Sequence, residues 1–239
     1  MASLFRVLCY IGVMALVLSL QAATVPFAKV ERDGKVFYMD SIIEVQVPRT
    51  IMLDLLTDYD RMQQFSNGFV ESKHFPKDDD GLEKVYMHLK GCVTFFCRHV
   101  KKMESLVIDD TESELTTITT VLIPEESYNV KKLNSQWKLS DIQIPFLNNE
   151  AQFSSVKFTD EQKESVVYKQ GTKIRYTMEF QPGFWVPPVI GGYLVKKAMV
   201  SDGTEILNRM EAYAHKELMQ PNLIQPNLIQ PESVVSKSQ

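Results

Sequence analysis

Lys173-Ile-Arg-Tyr-Thr-Met-Glu-Phe180 is followed, after Pro182-Gly183, by Phe184-Trp-Val-Pro-Pro-Val-Ile-Gly-Gly-Tyr-Leu194. The first stretch alternates. Ile174, Tyr176, Met178 and Phe180 share one side, and Lys173, Arg175, Thr177 and Glu179 the other. Period 2 predicts a half-buried strand. Beyond Pro187 and Pro188 the spacing changes to that of an amphipathic helix, with Ile190, Leu194, Ala198, Ile206, Met210 and Tyr213 on its apolar side. Asp202-Gly203 interrupts the middle of that helix, which runs to about Leu218. A curved sheet closed by one long helix can leave an apolar hollow between them.

Working outward, Val36 to Val47 reads as a strand, clearest where Ile43, Val45 and Val47 alternate with Glu44 and Gln46. Pro48 ends it and suits a helix start. Met52, Leu55, Leu56, Tyr59, Met62 and Phe65 then fall at helical spacing, and Asp58 and Asp60 mark a break into a second short helix. A long β region follows: 69–75, 82–89, 93–108, 115–123, 137–144, 151–158 and 165–180, the last with a turn at Gln170-Gly171. Pro76 to Gly81 holds three Asp. It lacks the alternating ligands and later Glu of a calcium loop and reads as a solvated turn.

Arg6 precedes an apolar run from Val7 to Leu20, and Gln21-Ala22-Ala23 supplies small residues for cleavage. Residues 1–23 therefore read as a signal peptide. The run is shorter than the ~20 residues a membrane span needs. The expected product is exported, periplasmic or secreted. At the other end Pro-Asn-Leu-Ile-Gln occurs twice, at 221–225 and 226–230, so 219–239 reads as a disordered tail. The net charge is −4, which argues against nucleic acid as a partner.

Cys9 lies in the signal. Cys92 and Cys97 remain, a possible disulfide in an exported chain. A regular strand would hold their α-carbons roughly 16 Å apart at ~3.3 Å per residue, and a bridge needs less than about 7 Å. Either the chain turns between them or both stay free. Two Cys fall short of a zinc set. No nucleophile elbow, P-loop, dinucleotide fingerprint or zinc-protease motif is present, so no catalytic residue, cofactor or metal is expected. His88 and His99 lie in adjacent predicted strands and could meet across a hairpin. The Asp58/Asp60 and Glu125-Glu126 clusters are explained by a helix break and a turn.

The aromatic and Met residues are the better lead: Tyr176, Met178, Phe180, Trp185, Tyr193, Met199, Met210 and Tyr213 gather around the closing strand and helix. A ligand hollow has a volume of about 300–1,000 Å³ and mainly apolar walls. Burying a lipid chain there contributes about 0.8 kcal/mol per CH₂.

Three places carry a family resemblance. Val45-Gln-Val-Pro48 leading to Leu55-Leu-Thr-Asp-Tyr-Asp-Arg61 and Gln64-Phe65 resembles a strand-Pro-helix entry. Trp137-Lys-Leu139 is similar to a sheet tryptophan, and Phe184-Trp-Val-Pro-Pro188 with its helix to a closing element. Over about 35–218 these resemble the helix-grip superfamily, which groups START lipid-transfer domains, coenzyme Q-binding proteins, polyketide cyclase/dehydrases and Bet v 1 allergens. The resemblance implies an α+β domain: a curved antiparallel sheet wrapped around a long C-terminal α-helix, with two short helices after the first strand. It implies a cavity for a hydrophobic small molecule such as a lipid, sterol-like molecule, quinone or polyketide.

The expected ligand-binding set is Trp137, Tyr176, Met178, Phe180, Trp185, Met199, Ile206, Met210 and Tyr213, with entry at 124–129 or 145–149 and transient membrane contact at Trp185. Two other readings stand beside it. One is a cyclase or dehydratase with His88, His99, Arg98 or Glu126 pointing inward. The other is an interaction module that uses the tail.

Overall fold

The structure is a computed structural model and describes residues 23–79, 81–93, 96–146, 167–187 and 191–219. Eight antiparallel strands form one sheet: β1 (Thr24–Asp33), β2 (Val36–Val45), β3 (Phe69–Phe75), β4 (Glu83–Val93), β5 (Phe96–Glu112), β6 (Leu115–Leu122), β7 (Val130–Phe146) and β8 (Val167–Pro182). Their order is β1-β2-β8-β7-β6-β5-β4-β3. Between β2 and β3 lie helix α1 (Arg49–Thr57) and a 3₁₀ helix (Tyr59–Gln64), and the chain closes with helix α2 (Gly191–Met219). This is the expected α+β helix-grip architecture.

Alternation fixes which face of the sheet is inside. On β2, Phe37, Met39, Ser41, Ile43 and Val45 are buried and the residues between them are not. Register aligns these with their neighbours in rows. Ser41 pairs with Tyr176, Tyr176 with Trp137 and Trp137 with Ile118. The adjacent row runs Met39, Met178, Ser135, Thr120. α1 starts at the proline-imposed stop after Pro48 and buries Met52, Leu55 and Leu56. They pack in one core with Ile43, Val45, Leu139 and Ile174 from the sheet and Leu207, Met210 and Ala214 from α2.

Four elements differ from expectation. β1 has no counterpart in the sequence reading. It is an edge strand, mostly exposed and carrying Pro26, and only Val25 and Ala28 face the cleft beneath α2. β7 begins at Val130 rather than Trp137, because Ser135 sits on the inner face and breaks the apolar period. β8 runs through Gln170-Gly171 without a turn. Gly171 marks a close approach: a β-carbon there would lie 2.7 Å from the Val45 carbonyl oxygen and 2.5 Å from Ile144. α2 is likewise unbroken at Asp202-Gly203. The expected strand 151–158, nearly all of the signal peptide and the repeat tail lie outside the described residues, as do 147–149 of the second expected entry loop. No described helix is long and apolar enough to cross a membrane.

The two glycines predict opposite outcomes. Nothing lies within 4 Å of a β-carbon built on Gly203, so Gly203→Ala is expected to raise stability by about 0.5–1 kcal/mol. Gly171→Ala is expected to lower it by about 1–3 kcal/mol. Urea unfolding midpoints of the two variants check both.

Candidate functional site

The floor beneath α2 is built by Met39, Ser41 and Ile43 of β2, Trp137 of β7 and Tyr176 of β8, with Val25 and Ala28 of β1 at the edge. From α2 come Met199, Val200, Gly203, Thr204 and Leu207. The space left between them is about 30 Å³, room for a water molecule rather than a ligand. The expected hollow of ligand size is therefore not open here. The helix lies on the floor and fills it.

The two halves of α2 are seated differently. From Leu207 onward, four side chains are buried: Leu207, Met210, Glu211 and Ala214. Before it, Gly191 alone among the described positions is buried, and Tyr193 is exposed. The half that covers Trp137 and Tyr176 thus rests on small or half-buried residues, while the other half anchors the helix in the core.

The structure divides the expected ligand set. Trp137, Tyr176 and Met199 meet at the cleft, the two rings with centroids 3.9 Å apart. Met178 and Phe180 pack farther along the same inner face, against Leu122, Val130 and Leu133. Met210 is fully buried, Ile206 packs beside it, and Tyr213 sits edge-on to Phe65 with ring centroids 5.6 Å apart. These last three belong to the helix anchor rather than the cleft. Trp185 is 67% exposed and lines a separate cleft.

Sequence reasoning missed a polar set inside the sheet. Glu104 of β5 is 1% exposed. It accepts a hydrogen bond from Lys102 Nζ at 3.0 Å, and the Lys102 side chain is itself only 14% exposed. Thr120 Oγ1 lies 3.4 Å from Glu104 Oε1 and 2.8 Å from Ser135 Oγ. Burial, followed by the negative charge of Glu104, pushes the Tyr59 and Tyr176 hydroxyls far up. The Tyr176 hydroxyl donates to Met178 Sδ at 3.0 Å, in the row that also holds Ser135 and Thr120. A signal was present: Lys102 and Glu104 occupy alternate positions on a strand whose next inward residue is Leu106.

A second buried polar group lies on α2. The amide of Gln46 donates to Glu211 Oε1 at 2.6 Å, and His215 Nε2 is 3.9 Å from the same oxygen. Glu211 Oε2, His215 Nε2, Asn208 Oδ1 and Gln46 Oε1 are buried without hydrogen-bond partners. Burial raises the Glu211 carboxyl and lowers the His215 imidazole, with Lys169 adding to the second effect.

The other cleft lies where β8 turns into α2. Its volume is about 410 Å³, and its walls carry Arg32, Lys35 and Lys131 with Phe37, Phe184 and Trp185. The remaining candidates are on the surface. His88 Nε2 and His99 Nδ1 meet at 2.9 Å across the β4–β5 hairpin, whose tip is closed by a Cys92–Cys97 disulfide with α-carbons 4.0 Å apart. His88 and His99 stand on the outer face and Glu126 is exposed, so none of these three supplies an inward group; Arg98 has the strand parity of Lys102 and Glu104 but is exposed near the hairpin tip. The loop at 124–129 is tethered rather than free: Tyr128 and Lys101 exchange backbone hydrogen bonds of 3.1 and 2.7 Å, and Met103 N donates to Ser127 Oγ at 3.1 Å. No metal-ligating group of three or more His, Cys, Asp or Glu occurs among the described residues.

No protein-family model matches the chain, and no curated protein matches it. Solved structures do. A STAR-related lipid transfer protein from Xanthomonas axonopodis aligns over 79% of this chain and 98% of its own, with a TM-score of 0.50 and 12% identity. A START superfamily protein from Mycobacterium smegmatis covers 75% of this chain and 97% of its own, with a TM-score of 0.49 and 11% identity. The Zhui aromatase/cyclase from a Streptomyces species covers 77% and 96%, with a TM-score of 0.49 and 11% identity. The chain has the START-type helix-grip fold.

Two outcomes follow for the buried charges. Lys102→Met leaves Glu104 uncompensated and is expected to cost about 3 kcal/mol, while Lys102→Met/Glu104→Leu returns close to wild type; denaturant unfolding of the single and double variants measures both. Glu211 has a raised folded carboxyl, so its contribution disfavours folding at neutral pH. That penalty fades as pH falls through the raised value toward the ordinary carboxylate range. His215 acts the other way, losing stability as pH falls through its ordinary value. In Glu211→Gln the carboxyl part of this pH slope is expected to vanish while the histidine part stays, which urea unfolding across pH resolves.

Proposed function

We propose that this protein binds a hydrophobic, amphipathic small molecule between the sheet and the first half of α2, and that it transfers the molecule by transient contact with a membrane. The observation that carries the reading is the uneven seating of α2. Its second half is anchored by Leu207, Met210 and Ala214, whereas its first half covers an apolar floor with Val200, Gly203 and Thr204. Lifting that half by a hinge above the anchor exposes Trp137, Tyr176, Met39 and Ile43 to an entering chain. The small volume now present is the closed state of that lid. The Xanthomonas neighbour is likewise named as a lipid transfer protein.

The polar set gives the ligand an orientation. An apolar body lies on Trp137 and Tyr176, and a hydroxyl or carbonyl end reaches toward the Tyr176 hydroxyl, Ser135 and Thr120, with Lys102 and Glu104 behind them. The Cys92–Cys97 bridge supports export to an oxidising compartment, with residues 1–23 as the signal and 219–239 as a tail outside the domain. A second reading, an enzyme acting on an amphipathic substrate in the same space, has one observation in its favour: Glu104 and Lys102 are titratable groups inside the fold.

Gly203→Phe is the test. A β-carbon there meets no atom within 4 Å, and the ring beyond it is larger than the space left and wedges between α2 and its floor, where an entering chain would lie. A fluorescent fatty acid is expected to bind the wild type and to bind this variant at least tenfold more weakly, with circular dichroism unchanged. Equal binding by both proteins removes the site from beneath α2. Native mass spectrometry of gently purified protein then identifies the class of any co-purified lipid.

A further inference from the structure

The cleft where β8 turns into α2 is not used by the reading above. The chain is net negative, −4 over 239 residues. Yet among the described residues this cleft is walled by three cations, Arg32, Lys35 and Lys131, and by no acid. Arg32 is held in place: its Nε donates to the Gly34 carbonyl at 2.8 Å and its guanidinium lies 5.4 Å from the centre of the Phe37 ring. Lys132, next along β7, is neutralised by Glu179 at 2.6 Å. Lys35 and Lys131 take part in no ion pair among the described residues. A positive site is thereby kept open on an acidic protein.

Phe37 forms a buried floor to the cleft, while two aromatic rings at this end of the molecule point outward. Trp185 is 67% exposed and Tyr193, on the first turn of α2, 68%. The segment is braced on both sides: Gly183 N donates to Asn129 O and Gly191 N to Pro187 O, each at 2.9 Å. Trp185 is thus presented to solvent two residues beyond the Gly183 tether. Amphipathic rings beside cations fit the headgroup layer of a bilayer, where the ring enters the interface and the cations meet phosphate. A volume of about 410 Å³ accommodates a headgroup.

We infer that this cleft docks the protein on an anionic phospholipid surface, with a headgroup phosphate held by Arg32, Lys35 and Lys131 and Trp185 inserted beside it. The inference deepens the transfer reading by naming the membrane partner of that function. Arg32 also lies near the start of α2: a β-carbon on Gly192 would lie 3.7 Å from Arg32 Nη1. A phosphate drawn to Arg32 therefore acts beside the lightly seated half of α2.

The test is co-sedimentation of the full chain with phosphatidylcholine vesicles, with and without phosphatidylglycerol. Wild type is expected to bind the anionic vesicles and not the neutral ones. At about 1 kcal/mol per cation, Lys35→Gln/Lys131→Gln should lose roughly thirtyfold in partitioning, and Trp185→Ser should also weaken it. Both substitutions are at exposed or rim positions, and circular dichroism confirms that each variant is folded. Equal binding to neutral and anionic vesicles, or a double variant that docks like wild type, overturns the inference. So does a wild type that ignores vesicles while its lysine resonances shift with inorganic phosphate, which would make the cleft a free-phosphate site. The interior is scored apart, by the monomeric fatty-acid probe without vesicles. Docking without probe binding fails the interior reading alone, and probe binding without docking fails this one alone.

Discussion

The anchoring of α2 by its second half is the constraint on which the rest of this structure depends. Leu207, Met210 and Ala214 join α1 and the sheet in one apolar core, with Val45, Leu139, Ile174, Met52 and Met210 fully buried there. Removing such side chains from water is the main favourable term in folding. It fixes the helix direction and so decides which part of the sheet the other half must cover. The first half then needs no tight packing of its own, and it has little. One continuous helix thus carries both a firmly packed anchor and a lightly seated cover.

The interior of the sheet is not uniformly apolar, and this shapes what it can hold. Charged groups are seldom buried without partners, because desolvation costs several kcal/mol per ion. Lys102 and Glu104 meet that condition by pairing, and Thr120 and Ser135 continue the polar track toward Tyr176. On α2, Glu211 and His215 meet it less completely, since one oxygen and one ring nitrogen are left without partners. The first group lies on the inner face of the sheet, beside the row that carries Trp137 and Tyr176. The second lies on the anchored half of the helix, where it ties α2 to the end of β2 through Gln46.

Charge on the outside is distributed with the same economy. The acidic balance of the chain is broken at one end of the sheet, where Arg32, Lys35 and Lys131 surround an outward tryptophan. Arg32 and Lys35 flank the β1–β2 turn, and Lys131 comes from β7, far along the chain. No run of basic residues announces them.

What the sequence determined by itself was the period of each element. Alternation at Ile174 to Phe180 and at Ile43 to Val47, the stop at Pro48 and the helical spacing after Pro188 set strand, short helices and closing helix in order, because side-chain direction follows backbone geometry within a few residues. β1 escaped because an edge strand buries so little that its pattern is faint. The start of β7 escaped because Ser135 is an inward polar residue. Of the expected ligand set, Trp137, Tyr176 and Met199 meet at the cleft; spacing could not separate them from Met210, Ile206 and Tyr213, since anchor and cleft residues share one apolar face. That separation, the Lys102–Glu104 pair and the basic cleft were decided only by tertiary structure, because each depends on which strands lie side by side and how far the helix reaches across them.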